Sequence, residues 1–416
     1  MPELRRVTIA CPDCGTLQDL PRLPPRSKAV CVRCASDLEK TSGRSIDAAL
    51  ACALATLLLL FPANLLPLMR VELFSFHSEN VIAIGIVQLW SHGWILLAGL
   101  SAVLIVVLPF VRFSLLTAVL GAIRLGMRPG WLGRAFRWAV WLDLWAMLDV
   151  FLLASFVAFY RLSNVNAAHI SIQFGGDCFI AAAVLTMLSR ASLDPRTVWR
   201  AIGGETRAES DAPVIGCTTC DLVHPQTRDG ERCPRCGARL RARKWNAMVA
   251  TSALIVAAFI LIFPANIYPM NVSYQLGTRV SYTIMTGIHD LFKNGLWELG
   301  VLVFCTSVLI PGAKILGIAW CVLSVWRRSR RHLVLKTKTL RLVAEWGRWS
   351  KTDPFTIVFL VPLMNFGEFG SSTAGWGATA FVLMTFITMV ASTTFDPRLM
   401  WDVPGGTALE QTVRAD

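Results

Sequence analysis

Charge is scarce in this sequence. Asp, Glu, Lys and Arg make up 16% of its 416 residues, against about 25% in a soluble domain. What charge there is leans one way: 40 Lys+Arg stand against 27 Asp+Glu, a net of +13. Signatures of common chemistry are missing as well. There is no GxxxxGK[ST] loop to cradle ATP phosphates, no GxSxG elbow, no HExxH helix and no paired-carboxylate constellation. No enzymatic activity is expected. Hydrophobic residues, by contrast, make up 54% and come in long blocks, with a mean hydropathy of +0.54. Disorder, collagen and a small disulfide scaffold are excluded, and an ordinary soluble enzyme is disfavoured. An integral membrane protein is the expectation. Met1 to Lys40 is polar and lacks the apolar core and small-residue cleavage site of a signal peptide, so the first apolar span is expected to direct insertion.

Eight of the twelve cysteines form four CxxC pairs: Cys11/Cys14, Cys31/Cys34, Cys217/Cys220 and Cys233/Cys236. The other four (Cys52, Cys178, Cys305, Cys321) sit singly in apolar runs and read as packing residues. Two facing knuckles supply four thiolates for one tetrahedral Zn²⁺, and segments this short need metal to fold. Disulfides or a redox CxxC are the competing readings, although no βαβ pattern surrounds these pairs. Zinc thiolates imply a reducing compartment, hence the cytoplasm. The expected cofactor is therefore two structural zinc ions.

The chain is a tandem repeat. Phe61-Pro62-Ala63-Asn64-Leu65-Leu66-Pro67 returns 202 residues later as Phe263-Pro264-Ala265-Asn266-Ile267-Tyr268-Pro269, and Asp194-Pro195-Arg196…Trp199 returns as Asp396-Pro397-Arg398…Trp401. Trp145 and Asp149 match Trp349 and Asp353 at 204. The expected organisation is a ribbon at 1–44, a membrane module at 45–200, a linker and second ribbon at 201–243, a second module at 244–400 and a polar tail at 401–416. Four spans are expected per module: 47–67, 94–120, 138–160 and 170–190, then 246–268, 296–326, 343–365 and 375–395. The fold class is mainly α: two tandem four-helix transmembrane modules, each preceded by a cytoplasmic zinc ribbon. Spans two and six, near 30 residues, should tilt, kink or protrude. Gln173 and Asp177 interrupt span four, and the first half of span seven, with Glu345, Arg348, Lys351 and Asp353, is amphipathic.

Charge sets the topology. Arg112, Arg124, Arg128, Arg134 and Arg137 crowd one connection; Arg327, Arg328, Arg330, Arg331, Lys336, Lys338, Arg341 and Arg348 crowd its counterpart; and the linker from Arg190 to Lys244 is richer still. The alternate connections hold few cations. By the positive-inside rule both termini and both ribbons lie inside, and the +13 needs no nucleic acid to explain it. On the outer side, 272–282 reads as a hairpin around Gly277, with a weaker counterpart at Val71–Phe76, each followed by an amphipathic piece (Ile82–Trp90, Ile284–Phe292). Pro62 and Pro264 remove helix donors, and Asn64 and Asn266 can bond the freed carbonyls.

Polar residues within the second module stand out. Ser307 and Lys314 are seven apart on span six, Ser350 and Asp353 open span seven, and Thr388 lies on span eight. Their first-module counterparts are Ile105, Arg112, Ala146, Asp149 and Thr186, so the second bundle reads as the more polar inside. A charge within a span marks either a functional network or a lysine that snorkels to the interface and an aspartate that caps a helix at Pro354.

The tandem CxxC ribbons, the repeated FPAN…P turn and the repeated terminal DPR…W together resemble the paraquat-inducible protein A family across nearly the whole chain. The resemblance implies an inner-membrane component of an envelope lipid transport system, partnered by a periplasmic MCE-domain tunnel protein and handling membrane lipids of the phospholipid class. It also favours Ser307, Lys314, Ser350, Asp353 and Thr388 as a transport cluster, with proton coupling as one way to drive it. A passive membrane anchor for the tunnel and a zinc- or redox-responsive membrane stress protein are the alternatives.

Overall fold

The computed structural model describes residues 7–402, apart from 21–22, 25, 42–44, 74–75, 147, 164–167, 204–213, 226–227, 276–277, 330 and 347–369. Ser350, Asp353 and most of the seventh expected span lie outside the described residues. Among those that are described, six helices are long and apolar enough to cross a membrane: α1 (Ile46–Leu65), α3 (Ile95–Arg124), α6 (Phe174–Ser192), α8 (Ala247–Ile267), α10 (Trp297–Trp326) and α12 (Trp376–Thr394). Shorter helices complete the set: α2 (Ile82–Ser91), α4 (Leu132–Leu142), α5 (Leu148–Ser163), α7 (Pro195–Ile202), α9 (Ile284–Lys293) and α11 (Leu333–Trp346).

α1 starts where the Ser45 hydroxyl accepts the Ala48 N–H, a side-chain cap on an otherwise unpaired donor. It ends one turn after Pro62, with the Leu66 N–H returning to the Pro62 carbonyl; α8 repeats this with Tyr268 and Pro264. The two asparagines do not bond the carbonyls that the prolines free. Asn64 Nδ2 donates to Leu60 O at 2.7 Å and Asn266 Nδ2 to Ile262 O at 2.8 Å. Each is the asparagine's own i−4 carbonyl, which a short side chain reaches, whereas the freed carbonyl lies six residues back.

The 30-residue helices are continuous. Each widens into a π-helical stretch, Ala102–Val107 in α3 and Cys305–Leu309 in α10, just ahead of Pro109 and Pro311. A proline there deprives the preceding turn of a donor, and a wider turn absorbs the loss. The third expected span, 138–160, is not one helix. It divides into α4 and α5 around a turn beginning at Asp143, because that turn presents its carboxylate and carbonyls to Arg190. The fourth begins later than expected. Gln173 is the N-cap residue of α6 and Asp177 lies in its first turn, so neither interrupts it.

Residues 168–172 form a strand instead. β5 (Met69–Leu73) pairs with β6 (Phe76–Asn80) and, on its other edge, with β7 (Ala168–Ile172), all antiparallel. The second repeat builds the same sheet from β10 (Asn271–Gln275), β11 (Thr278–Tyr282) and β12 (Gly370–Ala374). The hairpins match the sequence expectation, although Gly277 itself lies outside the described residues. The third strands do not, being five residues abutting an apolar run or, in β12, mostly small residues. They bring the starts of α6 and α12 against the ends of α1 and α8. A Cβ on Gly377 would lie 2.3 Å from Tyr268 O, and one on Gly375 2.0 Å from Pro269 O. Backbone cannot yield as a side-chain tip can. Gly377→Ala is therefore expected to cost about 1–3 kcal/mol, as overpacking does, measured as a lowered unfolding midpoint of the purified protein. No measurable loss would mean that the two backbones at this junction can part to admit a methyl group.

α1 packs chiefly on α6, and α8 on α12. The repeats meet through aromatic pairs, Trp94 with Trp376 and Trp145 with Phe386, with ring centroids 5.5 and 5.2 Å apart.

Candidate metal centres and buried charge

The four CxxC segments fold alike. The first cysteine of each donates its N–H to the carbonyl five residues on, and its own carbonyl accepts from the residue four on: Cys11 with Thr16 and Gly15, Cys31 with Ser36 and Ala35, Cys217 with Leu222 and Asp221, Cys233 with Ala238 and Gly237, at 2.7–3.0 Å. The fourth residue after that cysteine is left-handed every time: Gly15, Ala35, Asp221 and Gly237 have φ of 77°, 54°, 56° and 67°. Two of these carry side chains there, at a cost of about 1–2 kcal/mol each. Strand pairs hold the knuckles: β1 (Val7–Ala10) with β2 (Leu17–Leu20), β3 (Lys28–Val30) with β4 (Asp37–Lys40), and β8 (Val214–Gly216) with β9 (Val223–Pro225).

All eight sulfurs are buried and unbridged. They gather into two groups, Cys11/Cys14/Cys31/Cys34 and Cys217/Cys220/Cys233/Cys236, each with its sulfurs within 4.8 Å of one another. Sulfurs from facing knuckles are 3.5 and 3.6 Å apart in the first group and 3.6 Å in the second. A disulfide needs about 2.05 Å. A tetrahedral ion with ~2.3 Å sulfur bonds has edges of about 3.8 Å. Each group could hold one metal ion.

Hydrogen-bond donors, unread in the sequence, surround the sulfurs. Ser36 Oγ lies 3.0 Å from both Cys11 and Cys34 Sγ, and Gln18 Nε2 donates to Cys31 Sγ at 2.9 Å. His224, buried, places Nε2 3.6 Å from Cys233 Sγ. Such partners fix ligand orientation and stabilise thiolate charge. Crowding also splits the thiols: hydrogen bonds from Cys11 and Cys14 hold Cys34 low, at about 3, while bonding to Cys11 pushes Cys14 up. In the second group, bonding with Cys217 lowers Cys233 and raises Cys220 and Cys236. A cation in place of these shared protons is what four clustered sulfurs accommodate.

Of the expected transport cluster, Ser307, Lys314 and Thr388 are all buried at 2% exposure or less. Ser307 sits in the π-helical stretch of α10 with Lys314 further along, and α12, which carries Thr388, packs against α10. The Thr388 hydroxyl donates to its own helix at Thr385 O, 2.9 Å away.

The first repeat encloses a charge network of its own. Arg112, expected in a basic connection, is buried in α3. Its Nη2 lies 2.6 Å from Asp143 Oδ1, and its guanidinium 4.7 Å from the Phe113 ring centroid. Arg190, expected in the linker, lies in α6 and pairs with Asp143 at 2.8 Å and Asp149 at 2.7 Å. Two cations thus face two carboxylates. Sequence reading missed it because each partner belongs to a different helix. The available signal was Asp143 and Asp149 within an apolar block, where carboxylates require cations. In the second repeat the matching positions hold Lys314 for Arg112, Ser392 for Arg190, Gly347 for Asp143 and Asp353 for Asp149. One cation and one carboxylate remain.

Comparison with known proteins gives a consistent answer. The paraquat-inducible protein A family matches residues 46–203 and again 248–404. The Escherichia coli K12 protein called intermembrane transport protein PqiA is 29% identical over 403 residues, covering 95% of each chain. The lipophilic envelope-spanning tunnel protein A of the same organism is 28% identical over 394 residues, 94% of this chain and 90% of its own. A probable intermembrane transport protein of Haemophilus influenzae is 26% identical over 412 residues, 95% and 96% of the two chains. No solved structure matches. Two matched regions, one per repeat, place this chain in the paraquat-inducible protein A family.

Proposed function

We propose that the protein is a multi-pass inner-membrane component of an envelope lipid transport system, loading or extracting phospholipid for an extended periplasmic partner of the MCE type. The observation that carries this is family membership in both repeats, with relatives named for intermembrane transport and for a lipophilic tunnel. The two small sheets beside the long helices cannot bridge an envelope, so a partner must carry apolar cargo through water.

Both ribbons and both termini lie in the cytoplasm, and each ribbon holds a structural Zn²⁺ through its four cysteines. Sulfur-only ligation of a tetrahedral ion favours zinc and a reducing compartment. The ribbon-touching arginines, Arg134, Arg137 and Arg341, belong to the basic connections that mark the cytoplasmic side. The zinc supplies folding energy, and no catalytic role falls to it.

The working site lies in the second repeat, at Ser307, Lys314, Ser350, Asp353 and Thr388. Where the first repeat carries two arginines and two aspartates, the matching positions here carry Lys314 and Asp353, and Ser307, Ser350 and Thr388 add hydroxyls on spans six to eight, a composition suited to proton exchange. The test is complementation of an envelope-lipid defect in cells lacking the native gene. Lys314→Ala and Asp353→Asn are expected to abolish complementation with expression and metal content unchanged. Full complementation by both would return the protein to a passive anchor.

A further inference from the structure

Each metal centre packs against the repeat it does not precede. The first ribbon leads into α1, yet its sulfur knuckles meet the second repeat. Arg341 of α11 donates through Nε to Asp13 Oδ2 at 2.7 Å and through Nη1 to Ala35 O at 3.2 Å, with Nη2 3.8 Å from Cys34 Sγ. Arg398 Nε donates to Pro12 O at 3.1 Å, and the Arg33 guanidinium covers the Trp401 ring at 4.9 Å. The second ribbon leads into α8, yet its knuckles meet the first repeat. Arg235 Nε donates to Gly203 O at 2.7 Å, its carbonyl comes within 1.8 Å of where a Cβ on Gly133 would stand, and Gly237 lies against Arg134.

The exchange is reciprocal. Arg137 and Arg341 stand 204 apart, and Arg33 and Arg235 202 apart, so equivalent residues make both crossings. Among the described residues, the first ribbon meets its own repeat on its strand face, through Glu39 to Arg200 at 2.8 Å. Arg196 joins both ribbons, reaching Glu39 at 3.5 Å and Asp221 at 3.1 Å.

Beyond Arg341, α11 lies flat on α10. A Cβ on Gly317 would stand 2.9 Å from Val343 Cγ2, and Cys321 Sγ lies 3.9 Å from Lys336 O. Gly317 is three residues from Lys314. A single helix therefore separates the first metal centre from the helix that carries the buried lysine.

We infer that the metal centres brace the repeats crosswise: metal in the first ribbon holds α11 against α10 in the second repeat, and metal in the second ribbon holds α4 in the first. This rests on the metal reading above and is independent of lipid transport. Removing one ligand collapses a knuckle whose backbone carbonyls and carboxylate anchor Arg341, and α11 then opens locally from α10.

Cys321 reports this directly, being fully buried between those two helices. The experiment is N-ethylmaleimide labelling of the purified full-length protein, read at the Cys321 peptide by mass spectrometry, with zinc content measured in parallel. Cys34→Ser is expected to remove about one ion per chain and to speed Cys321 labelling at least ~10-fold through local opening. Cys236→Ser should remove the other ion and leave Cys321 within about twofold of wild type, its docking partner being the first repeat. Arg341→Gln leaves every thiolate in place and should speed Cys321 labelling with both ions retained. Acceleration by Cys236→Ser alone would mean that bracing is within each repeat. Unchanged labelling in both Cys34→Ser and Arg341→Gln would overturn the brace. Metal-free wild-type protein would overturn the metal reading, and Arg341→Gln would then test the docking by itself.

Discussion

Replacing Arg190 with methionine is expected to lower the unfolding free energy by about 3–5 kcal/mol, the usual cost of removing one partner from a buried ion pair. Asp149 is 5% exposed and takes its cation from Arg190; Asp143 would keep Arg112, but the carbonyls of Asp143 and Ala146 would lose their donor. The turn between α4 and α5 depends on those contacts. Unfolding of the detergent-purified protein in a thermal or denaturant series would show the loss. The double variant Arg190→Met/Asp149→Leu should recover most of it, because apolar residues of similar volume often replace a buried pair at little or no cost. A single variant within about 1 kcal/mol of wild type, or a double variant equally damaged, would show that the pair is not tightly desolvated.

Cys233→Ser should have the largest effect on metal and on its ribbon. Wild-type protein is expected to contain about two zinc ions per chain, one for each four-cysteine group, and the variant about one. Structural zinc contributes roughly 10–16 kcal/mol in small zinc-finger peptides at neutral pH. A ribbon of this size has no core large enough to replace that. Arg232, Arg235, Arg239 and Arg241 should then become open to trypsin. The first ribbon should stay protected, since its four sulfurs form a separate group. Retention of two ions, or an undigested second ribbon, would exclude the four-thiolate site.

Sequence showed best what is local. A CxxC knuckle is six residues of backbone with its ligands inside it, and a long apolar helix needs no distant partner to be recognised. The hairpins at 69–80 and 271–282 were legible for the same reason. Failures came where the decisive partner is remote. Arg112 carries the same charge whether it marks a cytoplasmic loop or neutralises Asp143 inside a bundle; only the fold of α4 and α5 tells them apart. β7 and β12 are strands because β5 and β10 offer open edges about a hundred residues earlier, not because AHISI or GSSTA demands it. Ser36, Gln18 and His224 beside the sulfurs follow no spacing rule. Comparing the repeats brought the buried charges into view, since Lys314 and Asp353 mark where Arg112 and Asp149 have counterparts and Arg190 and Asp143 have none of like charge.

The crosswise docking of the ribbons also imposes an order of events during synthesis. Asp13 meets Arg341 across 328 residues of chain, and Pro12 meets Arg398 across 386. A ribosome adding about 5–20 residues per second leaves the first ribbon waiting tens of seconds for its partner surface to emerge. The second ribbon, by contrast, emerges to find the helices it docks on already made. During that wait the first ribbon has its own strands and sulfurs, and the Glu39 contacts with Arg196 and Arg200 once those emerge, to hold it together. Metal capture would then be an early event in the life of the chain, and closure of the first ribbon onto the last helices one of the latest.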